Sequence, residues 1–230
     1  MTRINNNRTI AEALYLDAIY GMVVLSVLSS TILIIRIIST GKLHFAFLVW
    51  NLILAWIPAL IAWKIVHFAS KKLKPTVIIW LTLWVVFLPN TFYILSDFIH
   101  LGADYGVSKL FDSVLLFSFS LTGLLLGLGS LGIVHAWIGR YVKPRTGWVF
   151  VVGVVLASSF AIYLGRYLRW NSWDIALNPL GLLFDVSDRV INPGAHPATF
   201  TTTLLFFGFI MTTYLAFRNF VVTVWRRIQS

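Results

Sequence analysis

The sequence predicts an all-α, polytopic integral membrane protein with six transmembrane helices. Of its 230 residues, 59% are hydrophobic and only 11% are charged, whereas a soluble domain usually carries about 25% charged residues. The apolar residues form blocks of roughly 20, which is the length that a helix needs to cross about 30 Å of hydrocarbon. Because the blocks are continuous and do not alternate with polar residues, helices are expected rather than barrel strands.

A single membrane domain is expected over residues 1–230. The predicted spans cover residues 17–38, 45–67, 76–98, 109–136, 148–168 and 199–222. The polar N-terminus lacks the short apolar core and cleavage site of a signal peptide, so the first block is expected to remain as an anchor. The chain contains no cysteine, which excludes disulfides, thiolate nucleophiles and cysteine-bound metals.

The connection formed by residues 169–198 is the long one. Residues 175–198 of this connection mix leucine, valine and isoleucine with three charged residues, Asp185, Asp188 and Arg189. An apolar segment with a charged side is typical of a helix lying in the membrane interface. We therefore expect this connection to lie on the membrane surface, where it could act as a lid.

Lysine and arginine predict the orientation of the chain, because these residues concentrate in cytoplasmic segments. They cluster in the N-terminal tail, the second and fourth connections and the C-terminal tail: Arg3, Arg8, Lys71, Lys72, Lys74, Arg140, Lys143, Arg145, Arg218, Arg226 and Arg227. Six spans place all four segments on one side, so both termini are predicted to be cytoplasmic. The net charge of +10 then reflects topology and contact with anionic headgroups, and nucleic-acid binding is not expected.

A polar stripe occupies the outer end of the third span, in the string LPNTFYILSDFIHLGAD. At about 100° per residue, Asn90, Tyr93, Asp97, His100 and Asp104 fall within an arc of roughly 80° on a helix. Polar groups below the membrane boundary should face protein or a water-filled cavity. The stripe therefore predicts one wall of a polar site at the outer membrane face.

Pro89 lies at the base of this stripe. Proline has no backbone N–H, so it leaves the carbonyl of Val85, one turn earlier, without its helical partner. A kink is expected there. The side chain of Asn90 could satisfy a freed backbone group.

Asp97 and His100 are the candidate catalytic residues of the stripe. A spacing of three places them side by side on a helix, as an acid–base pair or as two ligands of a divalent metal. A metal site needs further ligands, and Asp112 and Asp174 are the candidates because both are expected on the outer side.

A second polar cluster, GRYLRWNSWD, ends the fifth span. Arg166 and Arg169 lie one turn apart and could hold a phosphate or carboxylate in two forks of hydrogen bonds. Asn171 offers a neutral donor and acceptor, and Trp170 and Trp173 could stack on a sugar or a cation.

Two structural interpretations of the same segment stay open. Tryptophan and arginine are also typical of an interfacial aromatic belt with snorkelling cations. Alternatively, Asp174 could pair with one of the arginines.

Small residues predict close helix packing at two places. One is the Gly123 and Gly127 pair of the fourth span. The other is a stripe at every fourth residue of the fifth span: Gly153, Ala157, Ala161 and Gly165.

The strings FLPNTFYILSDFIHL, FDSVLLFSFSLTGLLLGLGSL and GRYLRWNSWDI resemble the bacterial membrane-protein family catalogued as domain of unknown function 1361. The resemblance runs from the second span through the fifth. It implies a multi-pass protein of the bacterial cytoplasmic membrane, and it brings no assigned activity, substrate or cofactor. One departure is Thr91-Phe92, where the family is associated with a small residue and proline. The motif positions are Pro89, Asn90, Tyr93, Asp97, His100, Arg166, Arg169, Trp170, Asn171, Trp173 and Asp174.

Three functions are compatible with these patterns. The first is a site at the outer face, lined by both polar clusters, that binds or processes an anionic lipid or a lipid-linked phosphate. The second is an accessory, assembly or sensor subunit whose outer clusters contact a protein partner. The third is a small-solute transporter, which is disfavoured because no repeat is visible and the central portions of the spans lack ionisable residues.

Overall fold

The computed structural model describes residues 2–68, 75–102 and 108–229, and every regular element in these ranges is helical. The α-helices are α1 (Thr2–Thr40), α2 (Phe47–Phe68), α3 (Pro75–Phe87), α4 (Pro89–Tyr93), α5 (Lys109–Ile138), α6 (Pro144–Tyr167), α7 (Asp174–Leu177), α8 (Pro179–Ile191) and α9 (Pro197–Gln229). Two 3₁₀ segments cover Ile94–His100 and Pro193–Ala195. Asp104, the last residue of the predicted stripe, lies outside the described residues.

Six apolar helical spans confirm the predicted fold class. They run over Leu16–Thr40, Phe47–His67, Pro75–His100, Lys109–Ile138, Pro144–Tyr167 and Pro197–Arg227, each long and apolar enough to cross a membrane. We call the end of the bundle that holds residues 41–46 and 168–196 the site face. Span ends differ from the predicted ends by a few residues, as expected where helices run beyond their apolar centre.

The third span is interrupted at Leu88, next to Pro89, where a kink was predicted. The N–H of Leu88 still donates to the Trp84 carbonyl at 2.8 Å. Pro89 then begins α4, because a proline N–H is not needed in a first turn. The span ends as a 3₁₀ helix, which has about three residues per turn.

Helix α5 is the most buried span and packs on α1, α2, α4 and α6. Its two glycines let α4 approach closely. A Cβ on Gly123 would lie 2.6 Å from the Thr91 carbonyl oxygen, and one on Gly127 would lie 2.6 Å from a ring carbon of Phe92. The packing role predicted for this glycine pair is therefore confirmed.

The small-residue stripe of α6 is only partly a packing face, so that prediction was wrong. Gly153 and Ala157 are exposed, and a Cβ on Gly153 would meet nothing within 4 Å. Only Gly165 makes a close contact, since its Cβ would lie 2.9 Å from the Tyr93 ring. Larger residues of α6, such as Val155, are buried in the core shared with α9.

The connection between α6 and α9 contains an amphipathic helix, α8. Its exposed apolar residues are Leu180, Leu183, Phe184, Val190 and Ile191. Its polar side is held together by Arg189, which is buried and donates to a carboxylate oxygen of Asp185 at 3.0 Å. An exposed apolar face beside the ends of membrane spans is typical of an interfacial helix.

Candidate functional site

A cavity of about 900 Å³ opens at the site face. It lies among α2, the broken third span, the end of α6 and the connection that follows α6. Eight of the residues proposed from the sequence line it: Asn90, Tyr93, Asp97, His100, Arg166, Arg169, Trp170 and Asn171. The two polar clusters therefore share one space.

The centre of the site is an ion pair between Asp97 and Arg166. Asp97 is 1% exposed, and its Oδ1 accepts a hydrogen bond from Nη2 of Arg166. Its Oδ2 accepts from Nδ2 of Asn51 at 2.9 Å. Nε of Arg166 donates to Oγ of Ser96 at 2.9 Å. The carboxylate is thus paired and hydrogen-bonded on both oxygens, as a buried charge requires.

Two rings enclose the Arg166 guanidinium. Its central carbon lies 4.5 Å from the centroid of the Tyr93 ring, within the range of a cation–π contact. Its Nη1 lies 3.4 Å from Nε2 of His100. The His100 ring also packs edge-on against Phe47, with centroids 5.2 Å apart.

The kink of the third span is filled by a side chain from the connection after α6. Oγ of Ser172 donates to the Val86 carbonyl at 3.0 Å. Nδ2 of Asn90 donates to the Phe87 carbonyl at 2.9 Å and to Ser172 at 2.8 Å. The role expected for Asn90, to satisfy freed backbone, is thus seen, and Ser172 shares it.

The tryptophans of the second cluster take different positions. Trp170 lines the cavity, and its indole N–H donates to Asp185 of α8 at 2.7 Å. Trp173 does not line the cavity, but its ring meets Trp50 with centroids 6.3 Å apart. Trp50 is a lining residue, so Trp173 contacts the cavity wall without lining the cavity itself.

Arg169 differs from Arg166 in both backbone and partners. It lies two residues past the end of α6, with φ at +62°. This left-handed conformation costs a non-glycine residue roughly 1–2 kcal/mol. Its side chain lines the cavity, and within the described ranges its guanidinium forms no hydrogen bond or ion pair.

The four candidate metal ligands do not form one group. Asp112 was expected near Asp97, but it is buried against α1, where its carboxylate accepts from Nε of Arg36 at 2.7 Å and from Nη2 at 3.1 Å. Asp174 accepts from the backbone N–H of Asn171 at 2.7 Å. Among the residues that the structure describes, no three histidine or acidic side chains are grouped to hold a metal. Spacing could not reveal Arg36, because it belongs to the first span.

A second pair of contacts fixes the end of α8. The carboxylate of Asp188 accepts from the side chain of Asn192 and from Nε2 of His196, both at 2.7 Å. The hydrogen bond from Asn192 is the main cause that holds the pKa of Asp188 below its usual range, and the hydrogen bond from His196 adds to it. The ionised carboxylate therefore joins α8 to the segment that starts α9 at neutral pH.

Sequence reasoning missed three polar members of the site, namely Asn51, Ser96 and Ser172. Asn51 carried a usable signal, since an amide in an otherwise apolar stretch of a span should find a polar partner. The two serines carried none, because a single serine in a helix or a connection does not indicate a polar partner.

These features define a multi-pass helical membrane protein with a polar cavity at one end of the helix bundle. The family model described as "Protein of unknown function (DUF1361)" matches residues 50–214, and the chain belongs to this family. The matched range contains every residue that lines the cavity except Phe47. No curated protein and no solved structure shows significant similarity to the chain.

Proposed function

We propose that the cavity binds the polar head of an amphiphile with an anionic headgroup, such as a lipid phosphate. The observation that carries this proposal is the composition of the cavity wall. The wall combines the nearly buried Asp97–Arg166 ion pair with exposed apolar side chains such as that of Trp50. A ligand with a polar head and an apolar tail matches both parts.

Several apolar side chains of the cavity wall are exposed. Trp50 is 54% exposed, Ile99 67% and Ile175 46%. All three belong to the cavity wall. Exposed apolar side chains around a polar site mark a surface that binds lipid or another apolar partner, and acyl chains in the bilayer supply such a partner without a further protein.

Helix α8 is proposed as the lid of this site. Leu182 lines the cavity from α8, and the Trp170–Asp185 hydrogen bond links the helix to the cavity wall. The exposed apolar face of α8 would lie among the headgroups. Ligand entry from the bilayer would displace this helix.

Binding is the role that the contacts favour over chemistry. Both oxygens of Asp97 accept hydrogen bonds, from Arg166 and Asn51, so we assign Asp97 a positioning role. The acid–base role for Asp97 and His100 stays a prediction. The distribution of lysine and arginine supports placing the site face on the outer side of a bacterial cytoplasmic membrane.

Filling the cavity tests the proposal. Ala161 lines the cavity, whereas Ala157, one turn earlier on α6, is exposed and is not a lining residue. We expect Ala161→Phe to lose phosphatidylglycerol that the wild type retains, as measured by native mass spectrometry after release from lipid nanodiscs. Ala157→Phe should retain it. Equal lipid retention in folded Ala161→Phe would rule out the cavity as the binding site.

A further inference from the structure

We infer that Arg169 binds the anion of the ligand and that the cavity selects a headgroup with a single negative charge. This inference rests on the proposed function and deepens it. It distinguishes two arginines that are equivalent in the sequence pattern.

The charges of Asp97 and Arg166 cancel. Asp97 and Arg166 form an ion pair, and Asn51 occupies the second carboxylate oxygen. Nε of Arg166 also donates to Oγ of Ser96 at 2.9 Å. Arg166 is therefore committed to protein partners and contributes no net charge to a ligand.

The charge of Arg169 is not cancelled in the same way. The acids of the following connection have other partners: Asp174 binds the backbone of Asn171, and Asp185 binds Trp170 and Arg189. In the described part of the chain, Arg169 has no acidic partner, although its side chain reaches the cavity. Among the lining residues that the structure describes, Arg169 is therefore the one guanidinium without an ion pair.

The backbone of Arg169 supports a role for its side chain. A residue at φ +62° is most easily glycine, which adopts left-handed conformations without a steric penalty. In this sequence the strained position is occupied by an arginine. Local strain of this kind is found where a side chain must be held in one direction at a functional site.

The ligand class follows from the charge balance. A guanidinium binds carboxylate and phosphate oxygens through a planar fork of donors. One free guanidinium matches one negative charge, as in a phosphodiester headgroup. A headgroup with two negative charges would bring one charge that Arg169 does not balance. That charge would lie near the carboxylate of Asp97, which lines the same cavity, and like charges placed together disfavour binding.

Arg169→Gly separates binding from folding, because glycine relieves the backbone strain. In nanodiscs of equal phosphatidylglycerol and phosphatidylcholine, native mass spectrometry would measure the ratio of the two lipids retained. We expect the wild type to retain phosphatidylglycerol preferentially and Arg169→Gly to lose this preference by about tenfold or more, which corresponds to about 1.4 kcal/mol. Its unfolding temperature should be equal to or above that of the wild type.

Lys42→Gln is the matched control. Lys42 is exposed on the same face, outside the cavity, and its loss should leave the lipid ratio unchanged. An unchanged ratio in Arg169→Gly, or an equal loss in Lys42→Gln, would overturn the assignment of Arg169. A lowered unfolding temperature in Arg169→Gly would show instead that the arginine stabilises the fold, which contradicts the inference as well.

Two further probes test the charge and the source of the ligand. Phosphatidic acid at pH 8.5, where a phosphate monoester carries two charges, should be retained no better than phosphatidylglycerol, and stronger retention contradicts single-charge selection.

Dimethyl phosphate carries one charge without acyl chains. If it displaces phosphatidylglycerol from the wild type but not from Arg169→Gly, Arg169 binds the phosphodiester anion, whereas equal displacement from both proteins overturns the assignment of Arg169. If Ala161→Phe loses lipid while Arg169→Gly keeps its preference, only the present inference fails.

Discussion

At the scale of single residues, the Asp97–Arg166 pair decides the geometry of the site. It joins the third span to the end of α6 through a carboxylate that is 1% exposed. Taking charges out of water is costly, so such a pair is a poor source of net stability but a strong constraint on position. Both of its members stand at positions that the sequence placed in the site.

We expect Asp97→Ala to destabilise the protein by about 3–5 kcal/mol, because it leaves the Arg166 guanidinium without its charge partner. Reversible unfolding in mixed micelles would measure the loss. Arg166→Leu combined with Asp97→Ala should recover part of it, since no charge is then left unpaired. If Asp97→Ala costs no more than Asp174→Asn, which removes a partly exposed acid, the pair does not constrain the site.

Residue patterns predicted which side chains reach the site better than they predicted the partners. The spacing of Arg166 and Arg169 predicted the same role for both. In the structure, Arg166 binds Asp97 and Ser96, whereas Arg169 forms no ion pair within the described ranges. The difference arises because α6 ends at Tyr167, so the second arginine leaves the helix and turns left-handed. A helical wheel cannot show this.

At the scale of elements, the broken third span is the part that builds the cavity. The sequence predicted the break, because a proline within an apolar run removes a helical hydrogen bond. It did not predict the 3₁₀ end, Ile94–His100, which depends on packing against α5 and α2. With three residues per turn, Asp97 and His100 remain on one row, and Ile99 also reaches the cavity.

Close contact between α4 and α5 is what holds this broken span in place. We expect Gly127→Ala to destabilise the fold by about 1–3 kcal/mol, because its Cβ would meet the Phe92 ring at 2.6 Å and force the two helices apart. Thermal unfolding in detergent would measure the change.

Gly129→Ala is the control for this prediction, since a Cβ there would meet nothing within 4 Å. It should be neutral or stabilising, as alanine favours a helix over glycine by about 1 kcal/mol. A similar effect of both substitutions would show that the glycine contact does not govern the packing.

At the scale of the whole molecule, apolar blocks predicted six spans because the bilayer fixes the length of a helix that must satisfy its own backbone. The order of packing was not predictable in this way. The central position of α5, the Arg36–Asp112 pair and the exposed side of the α6 stripe all depend on which helices become neighbours. Pattern within one helix does not contain that information.

Orientation is a property of the whole chain, and the absence of cysteine makes it accessible to labelling. Lys42→Cys lies on the site face and Arg140→Cys at the opposite end of the bundle, both at exposed positions. We expect a membrane-impermeant thiol reagent to label the first in intact cells and the second only after permeabilisation. The reverse pattern would place the cavity on the cytoplasmic side.

The central claim is that the cavity holds the head of an amphiphile, and headgroup crosslinking tests it most directly. The measurement is photolysis of the protein in nanodiscs with phosphatidylglycerol that carries a photoreactive headgroup, followed by mass spectrometry of the modified peptides. Crosslinks concentrated on the lining residues Tyr93, Trp170 and Asn171, and reduced by excess unmodified phosphatidylglycerol, are the predicted result. Crosslinks spread over the exposed faces of α1 and α9, with none on the cavity wall, would contradict the account.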